Sequence, residues 1–299
     1  MHEHEHQSQL TGSEARDAIR RSAPRAAVVF EAIRLEAVEE LSRRNSALFW
    51  SGIAAGLSMG FSFIAEALLQ AGLPDYSWRP LLTKLGYSVG FMIVILGRQQ
   101  LFTENTLTPV IHLLHERRLA VLLDTLRLWA VVLVANILAT LLFAVGLFAA
   151  DVFDPAQNEA LQSVAMKAVE GGFRVTFLSA ILAGWLIALM VWLLPVAETA
   201  RVAVVIIITY LVGLGGFSHI IAGSTLVTDE VDEAERPAVQ GLSDLTMNAA
   251  GALGGVIAGV VVYEWSYGVL CAVAGVPLAL LVVALLNPAC RVHSNTRSI

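Results

Sequence analysis

Charge is scarce in this sequence. Of 299 residues, 15% are charged and 57% are apolar, and the mean hydropathy is +0.70. A soluble domain of this length carries far more surface charge, so the composition argues against one. Basic residues are few, 19 against 25 acidic, for a net charge of −6. That balance leaves no nucleic-acid footprint. Cysteine is nearly absent. Cys271 and Cys290 are too few for a disulfide scaffold, and they do not sit at metal-ligand spacing. No nearby acid completes a nucleophilic triad with the adjacent Ser218 and His219. Nothing therefore points to an enzyme, a cofactor or a metal centre. No signal peptide is visible at the start.

What the sequence does have is apolar length. Residues 175–197 contain no ionisable side chain, and within 202–228 only His219 can charge near neutral pH. Residues 248–263 and 265–289 are also uncharged. Crossing about 30 Å of hydrocarbon takes roughly 20 such residues, and these stretches lack the polar face of a soluble helix. The expected class is all-α, a polytopic membrane protein in contact with the lipid bilayer.

The chain divides by composition. Residues 1–23 are polar and read as a disordered N-terminus, where His2, His4 and His6 offer at most a weak transition-metal tract. Residues 24–45 read as an amphipathic cytoplasmic helix. Val29, Ile33, Ala37 and Leu41 recur every four residues and share a face. Its charge suits the membrane interface, or a neighbouring subunit, rather than a span. Residues 46–263 hold six apolar segments: 46–70, 81–114, 120–150, 172–195, 202–228 and 245–263. Residues 264–287 form an extra segment long enough to span, with a re-entrant path as the alternative. Residues 288–299 are a polar tail.

The second and fifth segments are interrupted, by GRQQLFTENTLTP at 97–109 and by GLGGFSH at 213–219. Matched breaks predict an inverted three-helix repeat whose discontinuous helices meet near the membrane midplane. Irregular backbone at that depth survives only where protein or a cavity covers it. Arg43, Arg44, Arg117, Arg118 and Arg201 fall in loops on one side. The loops at 151–160 and 229–240 are mainly acidic. That bias places the N-terminus in the cytoplasm.

The loop at 97–109, the GFSHIIAGS stretch at 216–224, AILAGWLIALMVW at 180–192, Asn136 in the third segment and GALGGVIAG at 251–259 together resemble the formate/nitrite transporter family. The resemblance covers roughly residues 46–263. It implies an aquaporin-like architecture and a homopentamer in a bacterial inner (plasma) membrane. It also implies a narrow pore in each protomer for a small monovalent anion such as formate, nitrite, acetate or hydrosulfide. Two family asparagines are replaced, by Gly184 and Gly223. That keeps a different selectivity, or a non-transporting membrane scaffold with a closed pore, in view. A neutral-solute channel is disfavoured by the lack of paired Asn-Pro-Ala motifs.

The site residues follow from the same resemblance. His219 would lend a proton or hydrogen bond to the anion, since its unperturbed pKa is near working pH. The alternative is a histidine that only bonds to the second-helix break. Thr103 would orient His219 or touch the anion, or else simply cap a helix. Leu101 and Phe102 would form the cytoplasmic apolar rim. Tyr87, Phe91 and Val212 fall at the outer constriction, or in ordinary core. Lys167 and Arg174 would draw anions into the outer vestibule, or snorkel to the interface.

Overall fold

The computed structural model describes Ser13 and residues 24–169 and 173–216. His219, Gly223, the sixth segment and the extra segment lie outside the described residues. Among the described residues every regular element is a helix.

Helix α1 runs Ala26–Ser42. Its four-residue period does what the sequence predicts: Val29, Ile33, Ala37 and Leu41 are all buried. Burying a side chain such as Ile33 contributes roughly 1.5–3 kcal/mol. The face packs on its own protomer, against α5 (Leu107–Glu116) and α8 (Phe173–Ala197), rather than lying open for lipid or a neighbour. Extended Arg43 and Arg44 stop the helix before α2 (Asn45–Gly72) begins. Arg127 fastens that corner. Its guanidinium donates to the carbonyls of Leu41 and Arg43 and, at 2.7 Å, to Asn45 Oδ1.

Helix α2 packs along α6 (Leu119–Ala150). The 28 residues of α2 span about 40 Å at the helical rise, enough to cross a bilayer with tilt. The second segment starts as α3 (Arg79–Thr83), tightens through a 3-10 turn at Lys84–Gly86, and continues as α4 (Tyr87–Leu96). Glu66 of α2 and the half-buried Lys84 form an ion pair there, so the buried carboxylate has a partner. Helix α4 ends at Gly97 and Arg98, and Arg98 takes the left-handed conformation at φ 50°. After an irregular stretch the chain resumes as a 3-10 turn, Glu104–Thr106, and then α5. The second segment is thus broken where the sequence predicts.

Residues 155–169 depart from the sequence reading, which placed an acidic loop at 151–160. They form α7 (Pro155–Val169). Asp154 Oδ1 accepts from the Gln157 amide at 2.8 Å, and Gln157 Oε1 accepts from the Asp154 amide at 3.1 Å. This reciprocal cap, with proline at the first helical position, satisfies the amides a helix start leaves orphaned. Ala160, Leu161 and Val164 then bury against Ala67 of α2.

Helix α8 turns through Glu198–Ala200 into α9 (Arg201–Leu214). Glu198, at φ 35°, makes the corner, and α9 folds back on α8. Helix α9 stops at Gly215 and Gly216, whose φ of 61° suits glycine. The segments Asn45–Gly72, Arg79–Leu96, Leu119–Leu147 and Ser179–Leu214 are each long and apolar enough to span a membrane.

Candidate permeation site

The break at residues 97–103 would be costly in lipid unless its backbone groups found partners. Asn136 of α6 supplies them. Its Oδ1 accepts from the Phe102 amide at 2.9 Å. Its Nδ2 donates to the carbonyls of Gln100, at 3.0 Å, and Gly52, at 2.8 Å. Ser51 Oγ accepts from the Gln100 amide at 3.1 Å. The side chain of Gln100 extends the network. It donates to Glu40 Oε2 at 2.6 Å and accepts from Asn105 Nδ2 at 2.7 Å, while Trp129 Nε1 donates to the Asn105 carbonyl. Helices α1, α2 and α6 thus converge on one irregular loop, which is thereby held rigid.

The loop directs Leu101 and Phe102 to different places. Leu101 is fully buried with Phe91, Val94, Met59, Ile187, Met190 and Val205. Phe102 packs instead with Leu41, Leu48, Leu128 and Val132, its ring edge-on to Trp129. The two do not form one rim. The Leu101 cluster adjoins the residues expected at the outer constriction. Tyr87 packs on it and also on a neighbouring cluster that contains the fully buried Val212, and the Tyr87 and Phe91 rings are 5.5 Å apart. Leu101, Phe91, Tyr87 and Val212 therefore make one apolar wall between the halves of the broken second segment, α8 and α9. Ser88 and Thr209, with hydroxyls 2.8 Å apart, tie α4 to α9 beside it.

Thr103 is buried at the end of the break, and its carbonyl accepts from the Thr106 hydroxyl at 2.9 Å. Lys167 is exposed near the end of α7. Arg174 sits in the first turn of α8, and its side chain lies outside the described set. Gly184 is buried in α8 next to Ala183, which packs in the Val212 cluster. The sequence reading passed over the residues that hold the loop: Ser51, Glu40 and the side chain of Gln100. The one available signal was a pair of glutamines in an otherwise apolar region.

Burial beneath the loop pushes the Glu40 carboxyl above the ordinary carboxylate range, and Glu36 adds to this. The Arg43 guanidinium and the Gln100 hydrogen bond pull the other way. A raised pKa in the folded state means that the docked α1 holds a proton that the undocked helix releases. Docking is then strongest below the ordinary glutamate pKa and weakens as pH rises through the folded value. In hydrogen exchange, protection of residues 26–42 should fall as pH climbs through that window, after correction for intrinsic rates. Glu40→Gln should flatten the dependence; an unchanged slope would refute the coupling.

A polytopic membrane protein with a helix broken beside an apolar wall has the aquaporin-like architecture. The comparisons with known proteins make this specific. Residues 27–275 match the formate/nitrite transporter family, to which the chain belongs. It is 42% identical over 200 residues to the inner membrane protein YfdC of Escherichia coli K12. The match covers 67% of this chain and 64% of that relative's length, just under two thirds. The nitrite transporter NirC of Escherichia coli K12 is 27% identical over 196 residues, covering 63% of this chain and 70% of NirC. Among solved structures, an FNT family ion channel superposes with TM-score 0.67 at 19% identity, covering 77% of this chain and 95% of that one. A pentameric formate channel with formate bound superposes with TM-score 0.56 at 18% identity, covering 81% and 97%. These likenesses establish the fold.

Proposed function

We propose that the chain carries a small monovalent weak-acid anion, formate- or nitrite-like, through a pore in each protomer of a homopentamer. Its membrane is the bacterial inner membrane, with the N-terminus in the cytoplasm. The observation that carries this is the apolar wall of Tyr87, Phe91, Leu101 and Val212 at the broken second segment, in a chain of this family. An anion stripped of water in such a place is costly, so it must lose its charge or meet a donor. His219 is the group we assign to that task, with Thr103 as the partner that the family likeness implies. The support is sequence order: His219 follows the Gly215–Gly216 turn that ends α9.

One observation favours a second reading. Leu101, Phe91 and Val212 are fully buried, and Gly184 and Gly223 stand where the family carries asparagines. A scaffold with a permanently closed path would have these features. Flux into liposomes separates the two. Formate, nitrite, acetate, hydrosulfide and chloride would be tested at several pH values for wild type and His219→Ala. Transport predicts entry of at least one weak-acid anion, rising as pH falls and lost in the variant. Folded protein that admits none of them refutes transport and leaves the scaffold.

A further inference from the structure

A cavity of about 500 Å³ opens beside the Leu101 cluster, between α1, the break and the α8–α9 corner. Ile95 and Leu194 line it and also pack on that cluster. A formate-sized ion needs a small fraction of this space, which falls instead in the usual range for organic ligands.

The charges around the cavity are unevenly placed. Glu36, Glu39, Glu40 and Glu104 line it, against Arg98 and Arg201. Both arginines are exposed, and Arg98 is already engaged by Glu36 at 3.8 Å. Glu40 is paired with Arg43 at 3.2 Å. Deeper in, three oxygens are shielded from solvent and have no hydrogen-bond partner: Glu104 Oε1, Thr108 Oγ1 and Gln99 Oε1. Thr108 is 5% exposed. Leaving such groups unmet is expensive, most of all beside a carboxylate. The rest of the lining includes the apolar side chains of Ala32, Leu35, Leu96 and Val191.

We propose that this cavity binds a small organic cation, a primary alkylammonium. An ammonium head has three N–H donors and no acceptor, which suits three unmet oxygens, one of them on a carboxyl group. The alkyl part lies on the apolar lining. An anion is excluded by the acidic wall, and a bare alkali ion leaves most of the volume and the apolar surface unused. The site is separate from the apolar wall but adjoins it. If the wall is the permeation path, as proposed above, an occupant here slows flux.

The test is equilibrium dialysis of radiolabelled n-butylammonium against the purified full-length protein, with butanol and sodium as competitors, followed by flux. Saturable binding of one molecule per chain is expected, with no displacement by butanol. Glu104→Gln should weaken it about tenfold or more, and the near-isosteric Thr108→Val about fivefold. Absence of saturable binding overturns the proposal, as does equal affinity in both variants. Displacement by sodium at the concentration of butylammonium itself would make this an alkali-ion site and also overturn it. Should Glu104→Gln not fold, Thr108→Val with Glu39→Gln decides. The dialysis arm stands whether or not the protein transports, so its failure is distinct from failure of the transport reading.

Discussion

Asn136→Leu should cost about 2 kcal/mol or more, a large loss for a polar substitution in the described core. Leucine nearly matches asparagine in size, so the effect isolates the hydrogen bonds. Two groups of the break lose their partner at once, the Phe102 amide and the Gln100 carbonyl, and the Gly52 carbonyl is left with its helical bond alone. Each buried backbone group left unmet costs about 1–3 kcal/mol. In a membrane protein the net figure falls toward the low end, because the undocked helices find other partners. Asn136→Asp discriminates further. It keeps an acceptor for the Phe102 amide but sets a carboxylate oxygen against two carbonyls, so it should be no better than leucine. Asn136→Gln should recover part of the loss if its longer arm can reach. Thermal unfolding of the detergent-solubilised protein reads this, together with cysteine accessibility at position 101 in a cysteine-free background. A melting temperature within a degree or two of wild type for Asn136→Leu would mean that the loop is held by packing alone.

The particulars of this network show what the sequence could reveal. The face of α1 was legible because Val29, Ile33, Ala37 and Leu41 repeat every four residues, and a repeat survives without knowledge of the neighbour. The second-helix break was legible because its polar residues interrupt an apolar run. The partners of the break were not. Gln100 meets Glu40 across 60 residues of chain, and Asn136 meets Gly52 across 84, and no local rule links such positions. Leu101 and Phe102 diverge for a related reason. In a loop there is no period from which to assign a face, so the family likeness alone placed both residues on one rim. Helix α7 is different, since its start was written locally in Asp154, Pro155 and Gln157. The acidic composition of that stretch outweighed a capping pattern that was there to be read. Tyr87, Phe91 and Val212 were expected at a constriction from family likeness, and the structure packs Tyr87 between Phe91 of its own helix and the cluster that holds Val212 of α9.

Glycine gives the other large effect. Helix α2 is gripped on two sides. Toward α6 it offers Gly52, Gly56 and Gly60; toward it, from the second segment, come Gly86 and Gly90. A Cβ on Gly86 would lie 2.4 Å from the Glu66 amide nitrogen and 2.7 Å from the Ala65 carbonyl carbon. Both are backbone atoms of a regular helix, and neither can rotate away. On Gly90 it would meet the Met59 Cα and the Ser58 carbonyl oxygen, each at 2.8 Å. Gly60 differs, because the obstacle is the Phe143 ring, which can turn. Gly86→Val should therefore push the second segment off α2, break the Glu66–Lys84 pair beside it, and cost roughly 3 kcal/mol or more, at the upper end for overpacking. Gly60→Ala should cost less than Gly86→Ala, although both are tight on paper. Gly72→Ala and Gly146→Ala are the controls, for a Cβ there meets nothing within 4 Å. In a helix, alanine is favoured over glycine by about 0.5–1 kcal/mol, so these should be neutral or slightly stabilising. The measurement is the yield of a single monodisperse peak on gel filtration, with the melting temperature of whatever survives. If Gly86→Val elutes and melts like wild type while Gly72→Ala behaves the same, close backbone approach is not what sets the second segment against α2. The apolar wall would then owe its position to the Asn136 network instead.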